Sequence, residues 1–370
     1  MGKSGEAPGE GGRTAPAPRV HRMDWIDYGR LVCAFWVMLD HYCFIGLDPR
    51  INPAIHGYGA LTAVTGYGIT GLYFFFMTSG LVITLTAPRH GAADFATRRV
   101  VRIVPTFLIC MTATFFLTRN RPVHPLQGLG QYLANLTFYP QAFGYRFVDA
   151  VYWTLAVEIV FYLFILLILM TGQMKRLPWI LAAWIAAQIV CLPLGGQWLM
   201  VSPSYHFIAA GAVMALVYRR EDPRLTLPLL AGSLLLCLHT GYRYTREVHT
   251  HAPVQMALVL LLFVLFPLMR GRNVGLPFAG RLGSATYPMY LLHFQIGIAV
   301  IRLVGTEANR WWLVAALSAF FLVLSLLLDD LIEFRLRRFW NRLFGGAIRG
   351  IAGWFPKRDP GRPSPGGGAA

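Results

Sequence analysis

The chain has 370 residues, of which 56% are hydrophobic and only 14% charged, with a mean hydropathy of +0.51. A soluble domain carries about 25% charged residues to face water, so this composition excludes a soluble enzyme and a disordered protein. Apolar stretches recurring from residue 26 to residue 334, many long enough to cross a ~30 Å hydrocarbon core, exclude a single-span receptor. The net charge of +16 is no nucleic-acid signature, because most of it falls in loops on one side of the apolar segments.

In chain order, residues 1–22 are rich in Gly, Pro and Ala and read as a disordered cytoplasmic tail with no signal peptide. Ten helices are expected near 26–47, 61–87, 98–118, 152–171, 178–194, 204–219, 225–240, 252–270, 286–304 and 310–334. The fifth, sixth and seventh are the shortest. With this topology 25 of the 33 Lys and Arg lie on one side and 8 on the other, which makes both termini cytoplasmic. Residues 23–334 then form an all-α, polytopic membrane domain. Residues 335–370 form a basic cytoplasmic tail whose arginines and aromatics suit anionic lipid. The five cysteines show no CxxC spacing, and no metal-binding cluster, P-loop or GxSxG elbow is present.

Ionisable groups inside a span are costly and mark function by default. The first helix holds Arg30 and His41, with Asp40 beside the histidine. Eleven residues at 100° each end about 20° past three turns, so Arg30 and His41 share one face about 16 Å apart. A cation and a titratable imidazole on one face suit the two ends of a long ligand; the alternative is a snorkelling Arg30 and a histidine that marks the helix end. In the fourth helix, Tyr152, Trp153 and Glu158 follow Asp149. Glu158 lies at a depth similar to His41 and could orient its imidazole, or be a structural Glu paired with a tyrosine hydroxyl. Arg99 and Arg102 are neighbours at the cytoplasmic mouth of the third helix, where two guanidinium forks suit phosphate oxygens or anchor the helix. Ser79-Gly80 in the second helix suits close packing. Tyr287, Tyr290 and His293 share a face of the ninth helix, whose Pro288 is expected in its first turn.

Together these residues resemble acyltransferase family 3, the bacterial integral-membrane O-acyltransferases. The resemblance rests on Arg30 and His41 with ten residues between them, on Arg99-x-x-Arg102, on Phe75-Phe76-x-x-Ser79-Gly80, on Tyr152-Trp153-Thr154-Leu155-x-x-Glu158, and on Ser284-x-x-Tyr287-x-x-Tyr290-Leu291-x-His293. One departure is Gly29, which precedes Arg30 where the family usually has glycine after it.

The resemblance implies a multi-pass protein of the bacterial inner membrane that moves an acyl group, expected to be acetyl, from cytoplasmic acetyl-CoA to a carbohydrate hydroxyl. The acceptor would be an exopolysaccharide, O-antigen or lipid-linked precursor. Acyl-CoA is a donor substrate, and no bound cofactor or metal is expected. Arg30, Arg99 and Arg102 would hold the CoA; His41 and Glu158 would be catalytic, with His41 as general base or as a transiently acylated nucleophile. Asp40, Ser79, Tyr152, Trp153, Tyr287, Tyr290 and His293 would support them. Membrane lipids and polysaccharide-assembly proteins are the further partners implied. Two rival readings stay open: acylation of a small acceptor such as a macrolide or oligosaccharide signal, and a proton-coupled transporter.

Overall fold

The computed structural model describes residues 23–119, 128–194, 200–272, 275 and 277–352. The tail expected over 1–22 and the end of the C-terminal tail lie outside the described residues. The described chain is helical throughout, in the order α1 (Asp24–Cys43), α2 (Ala60–Thr65), α3 (Ile69–Thr86), α4 (Ala92–Thr118), α5 (Leu129–Asn135), α6 (Trp153–Met170) and α7 (Leu177–Cys191). It continues with α8 (Ser204–Tyr218), α9 (Pro223–Val248), α10 (Ala252–Leu268), α11 (Ala279–Val304), α12 (Arg310–Asp329) and α13 (Arg337–Ala352). Among the described residues eight helical segments are long and apolar enough to cross a membrane, and α8 and α10 are shorter apolar helices. The fold is an all-α polytopic membrane domain.

The short α8 sits at the centre. Every residue from Tyr205 to Leu216 is buried, and α3 and α9 pack along it. A Cβ on Gly80 of α3 would strike the Ile208 carbonyl, and one on Gly211 of α8 would strike the Met77 carbonyl. The two backbones therefore touch, as small residues permit between helices in a membrane. A helix enclosed this way has its polar groups satisfied by its own ladder and its apolar surface covered by protein, so about 22 Å of length suffices.

Two packed cores form around this arrangement. One joins α3, α6, α7, α8, α9 and α10; the other joins α1, α4, α11 and α12. Helix α1 serves both, with Trp25 and Ile26 in the first and Ala34, Met38 and Tyr42 in the second.

Several helices depart from their expected bounds for physical reasons. The second expected helix is broken between α2 and α3, where Gly68 lies against Asp40 and the Trp36 carbonyl of α1. Helix α9 runs to Val248, two turns past the end of its apolar pattern, and Arg243 and Glu247 pair across those turns at 3.7 Å. Helix α11 begins at Ala279, so Pro288 lies well inside it rather than in its first turn. Small residues (Gly280, Gly283, Ser284) built that missed start, and Gly283 packs directly on Asp27 of α1. The basic segment after α12 forms the helix α13, which packs on α4 and exposes Phe339 and Leu343 beside its arginines.

Candidate active site

A cavity of about 440 Å³ lies where the two cores meet, lined by α1, α3, α4, α6 and α11. Its lining takes in the start of α1, the end of α3, the first half of α4 and the start of α11. Arg30, Arg99 and Arg102 all line it. The Arg30 guanidinium stands 5.8 Å from the Phe75 ring centre, and that of Arg99 stands 5.8 Å from both Phe95 and Tyr162. Among the described residues none of the three arginines forms an ion pair, and the buried Arg99 Nε has no hydrogen-bond partner. Two carboxylates, those of Asp27 and Glu158, line the same cavity and lie within electrostatic reach of Arg30. Three guanidinium groups against two carboxylates leave the lining net positive, and guanidinium forks suit an anionic group.

Glu158 faces the same cavity. Its carboxylate accepts hydrogen bonds from Ser79 Oγ at 2.6 Å and from the Tyr162 hydroxyl. The expected contact between Glu158 and His41 does not form. Counting along a helix gives axial depth but not which neighbour it meets, and α6 packs on α3 and α4 whereas α1 packs on α11 and α3.

The partner of His41 is His293. His41 Nδ1 lies 2.8 Å from His293 Nε2, and Phe294 covers the His41 ring at 4.4 Å between centres. His293 is 1% exposed, and its Nδ1 lies 2.9 Å from the Tyr290 carbonyl oxygen and 3.2 Å from that of Met289. Tyr290 forms one wall of the cavity with Thr154, to which it is hydrogen-bonded at 3.1 Å, and its ring lies 5.6 Å from His293. His293 thus stands directly behind that wall, and His41 is stacked on His293 with 5.0 Å between ring centres. A second cavity of about 340 Å³, lined by His206, Thr240, Arg243 and Glu247 among others, shares Leu72 and Phe76 with the first. His41 lines neither.

These observations divide the sequence-derived set. Arg30, Ser79, Arg99, Arg102, Glu158, Tyr287 and Tyr290 converge on one cavity. His41 and His293 converge on each other. Tyr152 is a strut, its hydroxyl donating to the Leu291 carbonyl at 3.1 Å. Trp153 packs edge-on to Phe76, and Asp40 is buried against Gly68 on the far side of α1, its Oδ1 without a hydrogen-bond partner. Tyr162 escaped the sequence-derived site set, although its place four residues after Glu158 puts it on the same helix face. Among the described residues no group of three or more His, Cys, Asp or Glu could hold a metal ion.

The family described as "Acyltransferase domain" matches residues 23–330. The chain belongs to acyltransferase family 3. No curated protein and no solved structure matches it. The match spans every helix that lines the cavity, from α1 through α11. The protein is a multi-pass membrane acyltransferase, and the arginine-lined cavity and the histidine pair both lie inside its acyltransferase domain.

Proposed function

We propose that this acyltransferase moves an acetyl group from cytoplasmic acetyl-CoA to a hydroxyl of a surface carbohydrate, an exopolysaccharide, O-antigen or lipid-linked precursor. The observation that carries the donor assignment is the set of three arginines without ion pairs around one cavity. Acyl-CoA has the matching chemistry: several phosphate charges at one end and a thioester on a narrow arm at the other. Guanidinium forks bind phosphate in bidentate fashion. The arm runs along α1 from Arg30 towards Tyr290 and Thr154, which brings the thioester to the wall in front of the histidine pair.

His41 acts as general base, which requires the Tyr290 side chain to move aside, because His41 lines neither cavity. It takes the proton from the acceptor hydroxyl as that oxygen bonds to the thioester carbonyl carbon. The carbon–sulfur bond then breaks, and the departing thiolate recovers the proton from the imidazolium. Positioned proton transfer of this kind is worth about 10²–10⁴ in rate. Glu158 serves the donor side of the cavity through Ser79 and Tyr162.

The same reading puts both termini in the cytoplasm of a bacterium, the domain in its inner membrane and α13 on anionic lipid. The arginine-rich end of the bundle is then the cytoplasmic one, where acyl-CoA is made.

The test is the O-acetyl content of surface polysaccharide in a deletion strain, complemented with wild type or with His41→Ala. Loss on deletion, restoration by wild type and failure of the variant are the expected results. Unchanged acetylation would overturn the polysaccharide assignment. Retention of full activity by His41→Ala would overturn the role of His41.

A further inference from the structure

We infer that His293 is a positioning residue that locks the His41 imidazole as its Nδ1–H tautomer, so that Nε2 of His41 is the nitrogen that accepts the proton. The inference rests on the reading of His41 as the base, but the tautomer itself follows from hydrogen-bond geometry alone.

The chain of reasoning starts at the backbone of α11. His293 Nδ1 faces the carbonyl oxygens of Tyr290 at 2.9 Å and Met289 at 3.2 Å. Carbonyl oxygens only accept, so Nδ1 of His293 carries a hydrogen. A neutral imidazole has one N–H, which leaves its Nε2 as an acceptor. That Nε2 lies 2.8 Å from Nδ1 of His41. Two bare lone pairs at that distance repel, so Nδ1 of His41 carries the bridging hydrogen and donates it. The neutral His41 ring then has its lone pair on Nε2.

The opposite arrangement needs a positively charged His293. That residue is 1% exposed, and among the described residues it has no carboxylate partner. A buried imidazolium without a counter-ion is strongly disfavoured.

In serine-protease-like sites a buried carboxylate accepts the base's Nδ1–H, holds its tautomer and steadies the imidazolium. Here a neutral histidine, backed by two backbone carbonyls, takes that place without introducing charge into a membrane span. Phe294 and the Tyr290 ring flank the pair and limit rotation of either imidazole. The His41 Nε2 lone pair is consequently fixed in direction before the acceptor arrives.

The direct test is ¹⁵N NMR of the purified full chain labelled at histidine, with His41 assigned by its loss in His41→Gln. In wild type the His41 ring should show a protonated Nδ1 and a bare Nε2. In His293→Ala the ring should revert towards the Nε2–H form that free histidine prefers. His293→Gln, whose amide oxygen can accept from His41 and whose NH₂ can donate to the Tyr290 carbonyl, should keep the wild-type pattern. In kinetics His293→Ala should lower kcat about 100-fold or more while the KM for acyl-CoA stays within twofold, and His293→Gln should recover part of kcat. A wild-type His41 in the Nε2–H form, or an Nδ1–H pattern unchanged in His293→Ala, overturns the inference whatever the activity. An Nδ1–H tautomer in a protein that transfers no acyl group leaves the lock standing and overturns the catalytic reading of His41 instead.

Discussion

The Tyr162 hydroxyl donates to the Glu158 carboxylate from one turn further along α6. The same phenol ring lies 5.8 Å from the Arg99 guanidinium, so the carboxylate holds the ring and the ring supports the cation. Glu158 therefore bears on the arginine-lined cavity both directly and through Tyr162, and it makes no direct contact with His41.

Tyr162→Phe keeps the ring and removes the tether. A hydrogen bond to a charged group is worth about 1.5–3 kcal/mol, part of which reaches Arg99 through the ring. The KM for acyl-CoA should rise about three- to tenfold, with kcat little changed. Glu158→Gln should act in the same direction, since its amide still meets Ser79 and Tyr162 but lacks the charge. A fall in kcat at unchanged KM in Glu158→Gln would instead return Glu158 to the side of His41.

The three arginines should separate by ligand chemistry. Arg99→Lys and Arg102→Lys keep the charge and lose the fork, so each should raise the KM for acetyl-CoA about tenfold. Arg30→Gln, deeper in the cavity and stacked on Phe75, should cost at least as much. With acetyl-pantetheine, which has no phosphates, the Arg99 and Arg102 variants should differ little from wild type. Equal losses on both donors would show that these arginines shape the cavity rather than read phosphate.

How much of this was legible in the sequence depends on the physical signal. Hydropathy gave the helical membrane class, because a span must be apolar along its whole length. Helical phase put Arg30 and His41 on one face of α1, since a face depends only on spacing. The match of Glu158 to His41 failed because partnership depends on which helices touch, and depth does not encode that. His293 was found only as the end of a motif; its bond to His41 spans 252 positions, beyond any local pattern. The missed start of α11 and the missed last turns of α9 are polar or glycine-rich, so periodicity was silent there.

The contact of α3 with α8 should be the most sensitive packing site in the fold. Gly80 and Gly211 each face the partner's backbone, which cannot yield as a flexible side chain would. Gly80→Ala or Gly211→Ala should force the helices apart and cost about 1–3 kcal/mol by overpacking. The check is the thermal midpoint of the purified protein in detergent, where Gly346→Ala, with open space around it, is the control. A Gly211→Ala protein as stable as that control would mean that the two helices are not in backbone contact.

The acyl chain should be measured by Tyr290. This side chain lines the cavity, tied to Thr154 at 3.1 Å and tilted against Phe75 with 6.2 Å between ring centres. If the thioester stops there, the phenol limits the chain that fits beyond the carbonyl. Tyr290→Ala removes the ring, and each further methylene buried in the space left is worth about 0.8 kcal/mol. Two methylenes then shift the preference for butyryl-CoA over acetyl-CoA by about fifteenfold in kcat/KM. Because Tyr290 also packs on His293, the absolute rate with acetyl-CoA should fall; the ratio of the two donors cancels that loss and isolates the pocket. A ratio equal to wild type would place the end of the acyl chain somewhere other than the Tyr290 wall.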